Sequence, residues 1–206
     1  MALSLRTGTY GNYWGNDYNT SNALNQSQME VNATYLYNAL TSRGWTINAI
    51  SGILGNMQAE SSINPGRWQD NNVGVGPAYG LVQWDPFTKY TNWAENLSLD
   101  PSAMDSNISR IDYEIANNIQ WIPTTLYNFS FQEFTTSTES PEYLASAFLK
   151  NYERAGVEVE EQRRANARAW YEFLGGQPTP TPTDKNKSKF KWVLYAKKLR
   201  NKSNFL

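Results

Sequence analysis

The stretch Gly55-Asn56-Met57-Gln58-Ala59-Glu60-Ser61-Ser62-Ile63-Asn64-Pro65 places a carboxylic acid at the exit of an apolar helix face. Ile50, Ile53, Leu54 and Met57 recur at the spacing of one helical stripe, and Glu60, three residues past Met57, continues it. Asn64-Pro65 is expected to stop that helix. A carboxyl on a buried face near the negative end of a helix dipole is expected to hold its proton. A protonated carboxyl near neutral pH can protonate a leaving oxygen, and glycoside hydrolysis needs that group. As a merely structural residue Glu60 has little to recommend it. A negative charge at a helix C-terminus is unfavourable by about 0.3–1 kcal/mol, and an unpaired buried charge costs more.

Composition narrows the chemistry further. The 206 residues contain no histidine and no cysteine. Ser-His-Asp and Cys-His catalysis are thereby excluded, as are zinc sites built on His or Cys. Carboxylate chemistry remains. The net charge of −1 is unevenly spread. Residues 185–206 hold eight lysines and arginines and no acid, so the rest of the chain carries ten basic against 19 acidic groups. A basic surface for nucleic acid is not expected. The chain holds 8 Trp and 13 Tyr. Their flat rings suit either a core or the C–H faces of sugars. No leader-like apolar run opens the sequence, and no run of about 18 apolar residues suits a membrane span.

The elements that must position Glu60 follow from pattern. Residues 1–23 are expected to form an extended arm rich in Gly, Asn and Tyr, docked or disordered. A first helix is expected from Ser27 to Ser42, with Val31, Tyr35, Leu36 and Ala39 on one face and Gly44 past its end. Thr46 is placed to cap the Glu60 helix. Residues 64–80 carry Pro65, Gly66, Gly74, Gly76, Pro77 and Gly80, the chemistry of an irregular lobe or small hairpin. Tyr79–Trp84 is expected as a short strand before a turn at Asp85-Pro86. A third helix carries Ile108, Ile111, Ile115 and Ile119. A fourth opens with Ser140, Pro141 and Glu142 and carries Leu144, Phe148 and Tyr152. A last helix, about 160–174, is expected to bury Trp170, Phe173 and Leu174. The domain of 24–176 is then followed by a stiff Pro/Thr linker at 177–184 and a basic tail at 185–206. The tail suits an anionic surface or a solvated end.

Three of these segments carry a resemblance. Asn56-Met57-Gln58-Ala59-Glu60-Ser61 with Ile63-Asn64-Pro65-Gly66, then Tyr79-Gly80-Leu81-Val82-Gln83-Trp84, then Tyr152-Glu153-Arg154, resemble the phage tail lysozyme family over roughly residues 28–174. The resemblance implies an α+β, mostly helical, lysozyme-like fold with a small turn-rich or β-hairpin lobe. It implies an enzyme that cleaves peptidoglycan glycan strands, with Glu60 as catalytic acid and no metal or organic cofactor. A location at the virion tail tip, alongside other phage tail proteins, is part of the same expectation; release to the bacterial cell wall is its alternative. By likeness to goose-type lysozymes and lytic transglycosylases, Gln83 and Tyr152 line the sugar cleft. Relatives often carry a zinc endopeptidase domain after the linker; only about 22 basic residues follow here, so bifunctional cleavage is not implied.

The other site residues keep two readings each. Asp70 is the base that activates water or a solvated loop residue. Asp85 is more a turn former. Glu153 is catalytic support or a partner of Arg154 or Arg43. Gln83 contacts an N-acetyl group or is a satisfied structural amide. Trp84, Tyr79 and Trp68 stack on sugars or fill the core, and Gln58 reaches toward Glu60. Two rival functions stand beside the hydrolase: a lytic transglycosylase leaving 1,6-anhydro ends, and a non-catalytic wall-binding tail module.

Overall fold

The computed structural model describes residues 3–155 and 159–176, so the expected linker at 177–184 and basic tail at 185–206 lie outside the described residues. The architecture is α+β and mostly helical. Among the described residues seven α-helices accompany one two-stranded sheet.

The centre is α2, Ile47–Ser61. Thr46 caps it, its hydroxyl accepting from the Ala49 N–H at 3.1 Å. Every residue from Ala49 to Met57 is buried, so protein surrounds this helix on all sides rather than along one stripe. Four neighbours cover it. In front lies α1, Gln26–Thr41, whose Asn25 and Gln28 form a reciprocal capping box. Behind lie α6, Pro141–Phe148, which opens with the expected Ser140 cap and Pro141, and α7, Glu160–Phe173. The short α5, Phe131–Thr136, closes one end. Two glycines permit the close approach of α6 and α7. A Cβ on Gly52 would sit 2.8 Å from the Leu144 Cβ, and one on Gly55 would sit 2.5 Å from the Arg163 carbonyl oxygen. On the far side, α3 (Thr88–Asn96) and α4 (Met104–Ala116) pack beneath the lobe. Ile119, expected on the α4 stripe, lies beyond the helix and is exposed, as is Phe173 on α7.

The helix carrying Glu60 ends earlier than Asn64-Pro65. Ser62 turns left-handed (φ +55°), and its N–H bonds back to the carbonyls of Met57 and Gln58. Ile63 follows with φ +55° and is fully buried. A β-branched residue in that region is costly, on the order of 1–2 kcal/mol. The turn is held from outside. The Asn32 amide on α1 donates to the Ile63 carbonyl at 2.7 Å and exchanges hydrogen bonds with both backbone groups of Trp14. Asn64 in turn donates to Asn16 Oδ1 at 2.6 Å and to the Asn22 carbonyl at 2.7 Å.

Trp14 and Asn16 belong to the N-terminal segment expected as an arm without strand periodicity. Here β1, Ser4–Gly8, pairs antiparallel with β2, Gly11–Gly15, across a Thr9-Tyr10 turn, with Leu5 opposite Trp14. The hairpin packs on α1 and belongs to the same compact unit as the helices. The molecule's sheet is thus here and not in the 64–86 lobe.

The lobe itself is irregular, with one 3₁₀ turn at Gln69–Asn71 and isolated bridges joining Trp68 to Tyr79 and Tyr79 to Trp84. The strand expected at Tyr79–Trp84 is a tight reversal. Gly80 (φ +90°) and Gln83 (φ +50°) break the pleat, and Tyr79 and Trp84 bond to each other across it. A Cβ on Gly80 would meet the Asn107 side-chain oxygen and the Trp84 ring at 2.8 Å, so the turn needs glycine twice over. Asn107 on α4 accepts from the Leu81 N–H at 3.0 Å and fastens the reversal to the helices below.

Candidate active site

A trough of about 780 Å³ opens beside the C-terminal end of α2. Glu60 stands on one wall. Arg67, Gln69, Asp70, Asn71, Ala78, Gln83 and Asp85 of the lobe line it too, and Glu153 and Ala155, just after α6, complete the lining. The trough is polar almost throughout. No cluster of three or more His, Cys, Asp or Glu that could hold a metal ion occurs among the described residues.

Glu60 is half-buried, its side chain 19% exposed, so it does not lie on a fully buried face as its position on the stripe suggests. The helix is covered through Met57, and its last turn emerges into the trough. There Arg163 of α7 donates through Nη2 to Glu60 Oε1 at 2.5 Å. The same guanidinium donates through Nη1 to Asn56 Oδ1 at 3.0 Å, and Arg163 is itself buried.

The carboxyl that burial deprives of water is that of Glu153. Part of the residue reaches the surface, but Oε1 has neither solvent contact nor a hydrogen-bond partner among the described residues. Burial, and then the nearby charge of Glu60, push Glu153 well above the ordinary carboxylate range; Arg163 and Arg154 oppose that rise. Arg43, one of its expected partners, pairs instead with Asp112 at 2.8 Å. The side chain of Arg154, the other, donates to the carbonyls of Gln120 and Asn151. The sequence marked Glu153 only through its place in Tyr-Glu-Arg. Its burial comes from the π-helical turn Leu149–Glu153 that carries α6 over α2, and no local pattern announces that turn. Arg163 carried no signal at all, being one of several arginines on a charged helix.

The remaining expected residues divide in two. Asp70 and Asp85 both line the trough and are exposed, Asp70 with φ +52° in its 3₁₀ turn. Gln83 lines it too, but its amide nitrogen is already committed to the carbonyls of Arg67 (3.0 Å) and Gly80 (2.9 Å), bracing the lobe. The rings are interior. Trp84, Tyr79, Tyr152 and Trp68 are each at most 3% exposed, and none belongs to the trough lining, so they support the site without offering a sugar a face. Trp84 Nε1 donates to Glu114 Oε1 at 2.9 Å, and the Tyr152 hydroxyl donates to Glu114 Oε2 at 2.5 Å. Arg110 also donates to Oε1, at 2.9 Å. Glu114, which the sequence did not single out, is therefore the buried acceptor joining lobe, α4 and the turn after α6. Burial still raises it above the usual carboxylate range, against the pull of those three donors. Trp68 Nε1 donates to the Tyr18 carbonyl. Gln58 accepts from Trp170 Nε1 at 2.8 Å, tying α2 to α7 rather than reaching Glu60.

The model of the family described as phage tail lysozyme matches residues 31–174. "Morphogenesis protein 1" of Bacillus phage B103 is 47% identical over 163 residues, which cover 78% of this chain and 44% of that protein. The chain thus spans less than half the length of this curated relative.

Proposed function

The chain belongs to the phage tail lysozyme family, and on that premise we propose that it hydrolyses the β-1,4 bond between N-acetylmuramic acid and N-acetylglucosamine in peptidoglycan, with Glu60 as general acid. The observation that carries this reading is the position of Glu60: one turn past the buried stretch Ala49–Met57, it is the residue of α2 that lines the trough, and Asp70 lines the same trough. A glycan strand lying in the trough brings its glycosidic oxygen to that wall. Glu60 transfers a proton to the oxygen, the bond to the anomeric carbon breaks, and positive charge develops on the sugar ring. Asp70, in the same lining, orients the water that completes hydrolysis.

The proton has a physical source. Glu153, in the same lining, is held above the ordinary carboxylate range by burial and by Glu60's charge, and is a proton-bearing neighbour of the acid. The polar lining suits the hydroxyl and acetamido groups of a sugar strand, held by hydrogen bonds rather than by ring stacking. The likeness to a phage morphogenesis protein supports a place in the virion, at the tail tip where the particle meets the cell wall. Among the described residues no helix is long and apolar enough to cross a membrane.

The test is turnover of purified peptidoglycan by the wild type and Glu60→Gln, with product masses read out. The variant is expected to lose on the order of 10²–10⁴-fold in rate while still binding wall. Reducing N-acetylmuramic acid ends support the hydrolase. Masses of 1,6-anhydro ends replace it with a transglycosylase, and full clearing by Glu60→Gln removes Glu60 from the chemistry.

A further inference from the structure

Arg163 lies outside the trough lining yet touches the residue that matters most there. We propose that Arg163 is a positioning residue for Glu60, a buried guanidinium that spans Asn56 and Glu60 and fixes both the orientation and the charge balance of the carboxyl at the trough wall. The proposal rests on the reading of Glu60 as the acid.

The geometry is that of a bracket. Nη1 is anchored on Asn56 Oδ1 at 3.0 Å, and Nη2 reaches Glu60 Oε1 at 2.5 Å. Asn56 and Glu60 are four residues apart on α2, one turn of the helix, so a planar fork on α7 bridges two successive rungs. Asn56 is itself immobilised. It is fully buried, and its amide nitrogen donates to the carbonyls of Gly52 and Ala145, each at 3.0 Å. The Glu60 carboxyl is thus referred, through one guanidinium, to the backbones of α2 and α6. A glutamate free to rotate about its side-chain bonds would sample many positions along the trough wall, and only a fraction of them reach a glycosidic oxygen.

A buried cation needs a reason to be there. Arg163 is 4% exposed, and its Nε has no hydrogen-bond partner among the described residues. A well-packed apolar side chain of similar volume would serve the α2–α7 contact at least as well, because desolvating a guanidinium costs several kcal/mol. What an apolar side chain cannot do is hold one carboxyl while acting on a second. Arg163 faces Glu60 from α7. Glu153 faces the same pair from the turn after α6, with Arg154 beside it and Glu114 from α4 behind, and Arg67 and Asp70 stand across the trough. In that company Arg163 offsets the repulsion between Glu60 and Glu153 and opposes the rise that burial and Glu60's charge impose on Glu153.

The experiment compares Arg163→Met and Arg163→Lys with the wild type and Glu60→Gln, measuring kcat, KM and the pH profile of turnover on purified peptidoglycan, with thermal melts confirming folding. Met removes the cation and both hydrogen bonds. Its kcat is expected to fall on the order of 10–100-fold with KM within about twofold, and its alkaline limb to move to higher pH, because Glu153 without that cation keeps its proton longer. Lys keeps the charge but cannot span Asn56 and Glu60, so its limb stays near the wild-type position while kcat falls. A Met variant with wild-type kcat, or with lowered kcat and an unmoved limb, overturns the proposal; the second result assigns Arg163 to packing alone. Should Arg163→Met not fold, Arg163→Gln takes its place with the same two readouts. Glu60→Gln separates the two levels: full activity in that variant defeats the reading of Glu60 itself, whereas an inactive Glu60→Gln beside indifferent Arg163 variants defeats only the bracket.

Discussion

Replacing a glycine by alanine in the middle of a helix is ordinarily stabilising, by about 1 kcal/mol from helix propensity. At Gly55 the sign is expected to reverse. The added methyl would lie 2.5 Å from the Arg163 carbonyl oxygen, 2.8 Å from the Ala167 nitrogen and 2.9 Å from the Ala167 Cβ. None of these is the movable end of a flexible side chain, so no rotamer change relieves the contact. Restoring an ordinary van der Waals separation asks α7 to withdraw from α2 by about 1 Å. Overpacking of this kind costs about 1–3 kcal/mol and more where backbone must move. With the two nearest contacts on backbone, the cost here is about 2–3 kcal/mol; set against the propensity gain, Gly55→Ala should lose about 1–2 kcal/mol net, a fall in Tm of roughly 2–8 °C for a domain of this size. The same displacement carries Arg163 away from Glu60, and a misplacement of about 1 Å near a reacting group can cost on the order of 10²-fold in rate. Differential scanning calorimetry and turnover on purified cell wall read both effects. A Tm at or above the wild-type value, with undiminished turnover, would refute the close approach of α2 and α7 on which the site's geometry depends.

Two further outcomes follow from the buried carboxyls. Glu153 is raised in the folded state, so its contribution to stability is full below the unfolded carboxyl range and lost as pH rises through its folded value. The Tm of Glu153→Gln minus that of the wild type should therefore grow more positive from pH 4 to pH 8; a pH-independent difference contradicts the burial of its carboxyl. Trp84→Phe removes one of the donors to Glu114 without opening a large cavity. It should cost about 1–3 kcal/mol of stability in chemical denaturation while leaving KM for peptidoglycan unchanged, and a raised KM at unchanged stability would return Trp84 to the sugar-binding surface.

Much of the helical frame was legible because its signals are local. Thr46, Ser140 with Pro141, and the stripe from Ile50 to Met57 mark starts and faces within a few residues. The Ser130/Glu133 capping box of α5 was equally local and could have been found. The start of α3 could not, since Phe87 provides no side-chain cap. The lobe misled for a physical reason. Alternating large residues at Tyr79–Trp84 suggest a strand, but Gly80 and Gln83 in left-handed conformations fold the segment onto itself, and Asn107 and Glu114 from another helix hold it there. At the site, the sequence pointed to Glu60 through its place on a helix and through family resemblance. It could not show Arg163, which arrives from 103 residues away, nor that the deeper burial belongs to Glu153. Aromatic residues expected beside the sugars turned inward because each indole or phenol found a polar partner or a packed ring in the interior.

The two walls of the trough differ in how they are made. One is the end of a helix buried from Ala49 to Met57, where a change of volume is felt in the core. The other is a loop tethered by Asn107, Glu114, its own Gln83 and the Trp68 contacts with Tyr18 and Ser21, while Gln69 and Asp70 on it are exposed. If the trough is the substrate cleft proposed above, its fit can be altered at residues 69–76 while the helix that carries Glu60 stays untouched.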